Sequence, residues 1–413
     1  MSDRIIRPVI FFILLLFLPA RLLAEDIVIG MSAAFTGTSK DLGIELYQGS
    51  MAYIEHINRS GGIYGRKIAI KAYDDSYNPI PAIQNTIKLI DRDNAFLLFN
   101  YVGTPTVTRI LPLLKSYSDK FIYLFAPFTG AQSLRQPPYG QYVFNLRASY
   151  QDETEGLVNH FVLDGRKRIA VFYQADAYGR SGWDGVKKAL AKNSGLKMVG
   201  EAAYRRGAEY SQSFKEQVDI IRKTSPDTVI CVGAYAPCAA FIRDARDAGM
   251  NIPIANLSFV GSESMANLLL QRSRSAGKDY TKDLVNSQVV PSYHDTALPA
   301  VREYRELMEK YHPMPASDLM EKGHTPPPLS YSYVSFEGFL NAKFLVEILK
   351  KMGRSPTKSR IKEVVEDTRD ADLGIDSRIS FGPNKHQGLD KIYYTTLQGD
   401  RFVPLADWKR WEK

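Results

Sequence analysis

In FNYVGTPTVTRILP, residues 99–112, hydroxyl residues follow an apolar segment at the point where a predicted strand passes into a predicted helix. Thr104, Pro105 and Thr106 occupy this junction. Backbone N–H groups at a helix start, the positive end of the helix dipole and hydroxyl side chains together suit a carboxylate. A phosphate-binding P-loop is excluded, because its glycines and its Lys-Ser/Thr pair are absent. The alternative is that both hydroxyls are ordinary helix N-caps.

The other reactive residue types are not spaced for catalysis or for metal binding. The sequence has no GxSxG, no HExxH and no GxGxxG after a predicted strand. Two cysteines are too few for a thiolate zinc site, and the six histidines show no i, i+4 pairing. We therefore expect no metal, no cofactor and no catalytic residues, so the protein should not be an enzyme. A disulfide between Cys231 and Cys238 stays open, since secretion would permit one.

The first 24 residues have the layout of a secretory signal peptide. Arg4 and Arg7 precede an apolar run from Val9 to Leu18, and the segment ends at Ala24. That run is well below the roughly 20 residues that a membrane-spanning helix needs. We predict cleavage after Ala24 and a periplasmic location, with a retained membrane anchor as the alternative.

The charge pattern argues against a nucleic-acid partner. The formal net charge is +8 over 413 residues. Lysines and arginines are interspersed with acids, as in VREYRELMEKYH, and form no block with exposed aromatic residues. Such a pattern is typical of a solvated surface.

Short β-branched segments alternate with amphipathic segments from residue 26 onward. Helices are predicted over 42–59, 81–91, 107–118, 182–192, 210–223 and 237–248, each after a predicted strand. This alternation indicates βαβ units and parallel sheets, so the fold class is α/β. The alternation of strands and helices begins again after VFNLRAS, which predicts two α/β units packed face to face. Loops at the carboxyl ends of their strands should converge on a ligand cleft between the units.

Seven motifs, in order, resemble the type I periplasmic binding proteins, specifically the leucine/isoleucine/valine-binding group that feeds ABC importers. They are GMSAAFTG, INRSGGIYGRKIAIKAYDD, YVGTPT, FAPFTGA, RIAVFYQADAYGRSG, VICVGAY and SYVSFEGFLNAKFLVEIL. The resemblance implies two Rossmann-like lobes with the ligand cleft between them, joined by a three-strand hinge. The first lobe would comprise residues 25–146 and 292–378, the second 147–288 and 385–413, with hinge crossings near 144–148, 289–293 and 378–383.

The same resemblance implies a ligand site built from loops of both lobes. The Thr104 turn and the segment Phe128, Thr129 and Gly130 match positions that hold an amino-acid carboxylate in the family. Three aromatic residues match rings that line the cleft: Tyr178, Tyr235 and Phe336. Ordinary core packing is the alternative for each ring taken alone.

One position departs from the family pattern. Amino-acid binders of this group place an acid in the second lobe to neutralise the ligand's ammonium. The best-matched position here is Ser258, and the nearest acid is Glu263. Because a buried ammonium without a partner is costly, three possibilities stay open: Glu263 serves, another acid serves, or the ligand is not an α-amino acid.

The function that the resemblance implies is solute capture. We expect a monomer that closes its two lobes around an amino acid or a related small carboxylate and passes it to an ABC permease. The alternative is a receptor that presents a different ligand to a membrane sensor.

Overall fold

The part of the chain described by the computed structural model is residues 25–193, 195–321, 323 and 331–411. The predicted signal peptide, residues 1–24, lies outside the described residues. Among the helices that are described, none combines the length and the apolar character needed to cross a membrane.

The strands form two large sheets and one small pair. The first sheet is all parallel, in the order β2-β1-β3-β4-β5, with β1 Ile27–Ala33, β2 Ile68–Asp74, β3 Leu97–Phe99, β4 Leu124–Phe125 and β5 Val143–Phe144. The second sheet has the order β14-β13-β10-β9-β8-β6-β7, with β6 Ile169–Gln174, β7 Gly200–Tyr204, β8 Thr228–Val232, β9 Ile254–Asn256, β10 Leu284–Gln288, β13 Tyr393–Gln398 and β14 Arg401–Pro404. The small antiparallel pair is β11 Ala371–Asp372 and β12 Arg378–Ile379.

Helices cover the sheets. They are α1 Lys40–Arg59, α2 Pro79–Asp91, α3 Thr104–Ser116, α4 Tyr150–Leu163, α5 Ala177–Lys192, α6 Lys215–Arg222, α7 Tyr235–Asp247, α8 Ser262–Ala276, α9 Pro299–Tyr311, α10 Tyr333–Met352 and α11 Ile361–Glu366. Side chains cap the N-termini of some of these helices. Ser149 and Asp152 form a capping box at the start of α4, and Asn78 is the N-cap of α2.

The α/β class and the parallel sheets are confirmed. The residues of β8, TVICV, are all buried, as expected for a parallel strand covered by helices on both faces. β13 and β14, however, pair antiparallel at one edge of the second sheet, a feature that the alternating pattern did not predict. The segment SMANLLLQR after β9 predicts a short helix, whereas the helix at this place, α8, has 15 residues.

Each large sheet, with the helices packed on it, forms one lobe. Helix α10 belongs to the first lobe although it follows strands β6–β10 of the second sheet in sequence, because Phe344 of α10 stacks on Phe125 of β4 with 5.4 Å between ring centroids. The chain therefore passes between the lobes more than once. One passage runs beside β5, where the Gly388 N–H donates to the Asn145 carbonyl at 2.8 Å.

Helices α1 and α10 approach each other at glycines. A Cβ on Gly49 would lie 1.7 Å from the Ser335 carbonyl oxygen, and one on Gly338 would lie 2.2 Å from the Leu46 carbonyl oxygen. Both obstacles are backbone atoms, which cannot rotate away. The close crossing therefore depends on glycine at both positions.

We expect Gly49→Ala to destabilise the protein by about 1–3 kcal/mol, because the added methyl group forces the two helices apart. The free energy of unfolding in urea measures this. Gly382→Ala is the matched control, since a Cβ there meets nothing within 4 Å. Equal stability of the two variants would contradict the close crossing.

Candidate functional site

Thr104 and Thr129 form a hydroxyl pair at the carboxyl edge of the first sheet. Their Oγ1 atoms are 2.7 Å apart and both side chains are buried. Thr104 is the first residue of α3, so its hydroxyl lies at the positive end of the helix dipole. Gly103, just before it, has a φ of 96°, and a Cβ there would overlap the Tyr77 ring at 2.0 Å. This turn therefore requires glycine.

The other residues of the predicted threonine turn face inward. The Thr106 hydroxyl donates to the Val102 carbonyl at 2.5 Å and to the Gly103 carbonyl at 2.8 Å. Pro105 is buried in the first turn of α3. The Thr106 hydroxyl thus bonds within its own turn, whereas the Thr104 hydroxyl contacts Thr129 in the loop after β4.

The second loop, after β4, packs against the start of α4. The Gly130 carbonyl accepts a hydrogen bond from the Tyr150 N–H at 2.8 Å, and a Cβ on Gly130 would lie 2.6 Å from that nitrogen. Phe128 is tied to the threonine turn, because its carbonyl accepts from the Gly103 N–H at 3.1 Å. The two carboxylate-binding loops predicted from the sequence are therefore adjacent.

Aromatic rings from both lobes meet around Phe259. This residue lies in a short 3₁₀ turn, Ser258–Val260, of the second lobe. Its ring centroid is 4.6 Å from that of Tyr178, 5.2 Å from Phe128 and 5.9 Å from Tyr77. Since Phe128 and Tyr77 belong to the first lobe, these contacts hold the two lobes together.

Tyr235 and Glu263 of the second lobe also contact the first lobe. The Tyr235 hydroxyl accepts from the Asp41 N–H of the first lobe at 3.5 Å. The Glu263 carboxylate accepts from the Tyr333 N–H, also of the first lobe, at 3.3 Å. Burial raises the pKa of Glu263 from its ordinary 4.5 to about 7. This acid therefore sits at the interface of the lobes, although the sequence placed Ser258 at the matched position.

Ser258 belongs to a buried ionic cluster. Its hydroxyl and its N–H donate to the two Glu153 oxygens at 2.9 and 2.8 Å, and it also contacts Arg147. Arg147 bridges the lobes, with nitrogen to oxygen distances of 3.4 Å to Glu153 and 3.5 Å to Glu337 of α10. All three charged side chains are at least 95% buried. Burial raises the pKa of Glu337 to about 7.

Sequence reasoning missed Arg147, Glu153 and Glu337. A signal was present for two of them: Arg147 directly follows the strand segment VFNL, and Glu337 lies within the apolar segment of α10. Charged residues are almost never fully buried unless they are paired, so each of these positions indicates a partner. Nothing in the sequence identifies which partner.

Phe336 packs inside the first lobe. Its ring centroid is 5.0 Å from Tyr304 and 6.3 Å from Phe339. The neighbouring Glu337 is the residue of this motif that faces the Arg147 cluster. The structure thus brings together Thr104, Thr129, Phe128 and Tyr178. It places Tyr235 and Glu263 at further contacts between the lobes and leaves Phe336 in the helix layer.

A cavity of about 640 Å³ lies away from this cleft, and Arg135, Pro138 and His386 are among its lining residues. Two of its polar side chains are already engaged. Arg135 donates to the Ala131 and Arg147 carbonyls at 2.9 Å, and His386 Nε2 is 2.9 Å from Glu366. The site built by the two lobes is therefore the stronger candidate.

The composition of the site favours an organic ligand. Within the described ranges, no three His, Cys, Asp or Glu side chains are grouped so that they could hold a metal ion. Cys231 and Cys238 are buried and unbridged. The arrangement offers hydroxyls for an anion, a buried carboxylate for a cation and aromatic rings for apolar groups.

Known proteins similar to this chain support a common family. The sequence profile of a family described as periplasmic binding protein matches residues 26–401. An amino acid binding protein of Pseudomonas aeruginosa is 25% identical over 264 residues, which is 63% of this chain and 66% of that protein. The Leu/Ile/Val-binding protein of Escherichia coli K12 is 27% identical over 255 residues, 60% of this chain and 64% of that protein. The alignments thus span about two thirds of these relatives' lengths.

A solved structure is similar over nearly the whole chain. It is that of a possible leucine/isoleucine/valine-binding protein from Rhodopirellula baltica SH 1, with a TM-score of 0.83 and 28% sequence identity. The superposition covers 96% of this chain and 100% of that one. The two-lobed architecture is therefore shared along the full length of the described chain.

Proposed function

Because the chain belongs to the periplasmic binding protein family, whose profile matches residues 26–401, we propose that it captures an α-amino acid in the periplasm and delivers it to an ABC permease. The observation that carries this proposal is the buried Glu263 carboxylate at the lobe interface. Residues 1–24 support the periplasmic location, since they have the layout of a signal peptide.

The carboxylate of the ligand is assigned to the first lobe. Thr104 and Thr129 bring two hydroxyls together at the start of α3, where N–H groups and the helix dipole favour an anion. Phe128 and Tyr178 flank this end of the cleft and exclude water from it. Exclusion of water strengthens each hydrogen bond to the charged group.

The ammonium of the ligand is assigned to Glu263. An ionised carboxylate is costly to bury alone, and an ammonium beside it would remove that cost. Tyr235 lies in the same part of the interface, next to Asp41 of the first lobe. The site would then bind both charged groups of an α-amino acid, its carboxylate and its ammonium.

Closure of the lobes is the proposed mechanism of capture. The Phe259 contacts with Phe128 and Tyr77, and the Tyr333 contact with Glu263, join residues of opposite lobes and would separate on opening. We propose the predicted crossings near 144–148, 289–293 and 378–383 as the hinge, with the lobe boundaries given above. Ligand would favour the closed form by contacting both lobes at once.

A melting-temperature scan tests the ligand class. The mature protein is unfolded, refolded without ligand and mixed with single L-amino acids, their deaminated keto and hydroxy acids, and aromatic carboxylates. A ligand at 100 times its Kd adds about 2.7 kcal/mol to the free energy of unfolding, enough for a shift of several degrees. Stabilisation by amino acids supports the proposal, whereas stabilisation only by carboxylates without an amine overturns it.

We expect Thr129→Val to weaken binding of an amino acid and of its keto acid equally, by about tenfold, because one hydroxyl bond to the shared carboxylate is lost. Calorimetric Kd values measure this. Thr108→Val is the control, since that hydroxyl donates to the Thr104 carbonyl within α3. Unchanged affinity in Thr129→Val would place the carboxylate elsewhere.

A further inference from the structure

A basic stretch of sequence runs from the end of α10 into α11. Residues 350–362 read KKMGRSPTKSRIK, with six lysines and arginines and no acid. This run contrasts with VREYRELMEKYH, in which acids alternate with bases. The side chains of Lys350, Lys351, Arg354 and Arg360 are exposed. The stretch therefore places positive charge on the surface of the first lobe.

This basic stretch lies at the end of the first lobe that is opposite the ligand cleft. The first sheet is all parallel, so the amino ends of its strands share one edge, and the cleft loops follow the carboxyl ends at the other edge. The Tyr64 hydroxyl, just before β2, donates to the Lys350 carbonyl at 3.1 Å. The Lys358 ammonium donates to the side-chain oxygen of Asn94, just before β3, at 3.0 Å. The stretch and the amino ends of these strands therefore form one surface.

Some cations of this surface have neutral or like-charged neighbours. The Arg354 guanidinium carbon lies 5.9 Å from the centroid of the Tyr64 ring. Burial, together with the neighbouring ammonium of Lys120 from the loop before β4, lowers the pKa of Lys358. Two like charges that lie close together repel each other, so an anion at this place would relieve the repulsion.

The acids nearby offset only part of this positive charge. The ion pairs here are Lys350–Glu347 at 3.1 Å, Lys120–Asp91 at 2.8 Å and Lys362–Glu366 at 3.8 Å. In the described ranges, no ion pair includes Lys351, Arg354, Lys358 or Arg360. The exposed acids Asp119 and Glu363 are balanced by the exposed bases Lys67 and Arg92, which precede β2 and β3. This end of the lobe therefore carries an excess of positive charge.

Two exposed aromatic rings lie at the same end. Tyr64 is 50% exposed and Phe121, next to Lys120, is 43% exposed. Phe121 has a φ of 54°, a left-handed conformation that bulky residues rarely adopt. Aromatic rings beside lysines and arginines are typical of surfaces that meet lipid headgroups. The rings and the basic stretch come from separate parts of the chain, so no single segment shows the combination.

We propose that this end of the first lobe binds a membrane surface of anionic phospholipids. The cations would contact the lipid phosphates, while Tyr64 and Phe121 would lie among the headgroups. A nucleic-acid partner is disfavoured, because residues 1–24 predict export. The cleft is at the opposite end, so it would face away from the bound membrane and stay accessible to solute. The proposal adds this membrane-attached state to solute capture.

The experiment is sedimentation of the mature protein with two kinds of vesicle. One contains phosphatidylcholine and phosphatidylglycerol in equal parts, and the other contains phosphatidylcholine alone. We expect the protein to sediment with the anionic vesicles only. It should be released at about 1 M salt, where the Debye length falls to about 3 Å.

The double variant Lys351→Ala and Arg354→Ala should weaken partition onto anionic vesicles about 25-fold, which is about fivefold for each cation removed. The matched control is Lys197→Ala with Lys223→Ala, which removes the same charge from exposed positions of the second lobe. It should bind as the wild type does. Both substituted pairs are on the surface, so folding should be retained.

Three results would overturn the proposal. The first is that the wild type does not sediment with anionic vesicles at low salt. The second is equal weakening in both double variants, which would make net charge alone responsible. The third is retention on heparin, a soluble polyanion, without binding to the vesicles. The assay contains no amino acid, so its result is independent of the ligand proposed above.

Discussion

Replacing Glu263 by glutamine is expected to weaken amino-acid binding by about 100-fold or more, since removing one partner of a buried charge pair costs roughly 2–5 kcal/mol. Glutamine keeps the shape and one oxygen but loses the charge, so the ligand's ammonium would be buried beside a neutral amide. Titration calorimetry of the variant and the wild type with the same amino acid measures the difference.

The loss of affinity in Glu263→Gln should be specific to ligands that carry an ammonium. The keto acid of the same ligand has no ammonium, so its affinity should be unchanged or improved by Glu263→Gln. Glu216→Gln, an exposed position on α6 of the same lobe, should bind as the wild type does. Equal loss for amino acid and keto acid would indicate that the substitution damages the site generally.

Arg147→Leu is expected to destabilise the protein by about 3–5 kcal/mol, because it leaves two buried carboxylates without their cation. Glu153 and Glu337 are fully or almost fully buried on either side of the guanidinium. Arg147 also lies over the Phe128 ring, with 4.8 Å between the guanidinium carbon and the ring centroid. Urea denaturation at pH 7 gives the loss of free energy directly.

The loss of stability in Arg147→Leu should also depend on pH. Arg147 lowers the pKa of Glu337, which burial nevertheless raises to about 7. Without the guanidinium this pKa rises further, so the folded variant binds its proton more tightly than the unfolded chain does. Stability should then fall more steeply above pH 7 than in the wild type. Arg59→Leu, which removes an exposed pair with Glu55, should change stability by less than about 1 kcal/mol. A comparable loss of stability in Arg147→Leu and Arg59→Leu would contradict a stabilising role for the cluster of Arg147, Glu153 and Glu337.

The family and the fold class were predictable because they depend on local order along the chain. Apolar β-branched segments such as TVICV must be buried, and their alternation with amphipathic helices leaves parallel sheets as the simplest arrangement. The motif-based assignment is confirmed by the profile match over residues 26–401. The relatives are solute-binding proteins, so the prediction that the chain is not an enzyme is confirmed as well.

The site was predictable only in part, since a motif identifies a loop but not the direction of each side chain. Thr104 and Thr106 are equivalent in sequence terms, yet one pairs with Thr129 and the other caps its own turn. Phe336 matched an aromatic position by motif, whereas the helix turns the adjacent Glu337 toward Arg147. Whether these residues bind ligand stays a prediction.

The sequence by itself determined the two α/β units, the strand-to-helix turn at Thr104 and the family, because each follows from residues that are near one another in the chain. Only the tertiary structure decided which charges are buried together. Arg147, Glu153 and Glu337 come from separate elements and meet where the lobes close. Their pKa values and partners depend on burial, and burial is a property of the packed molecule that no single stretch of sequence carries.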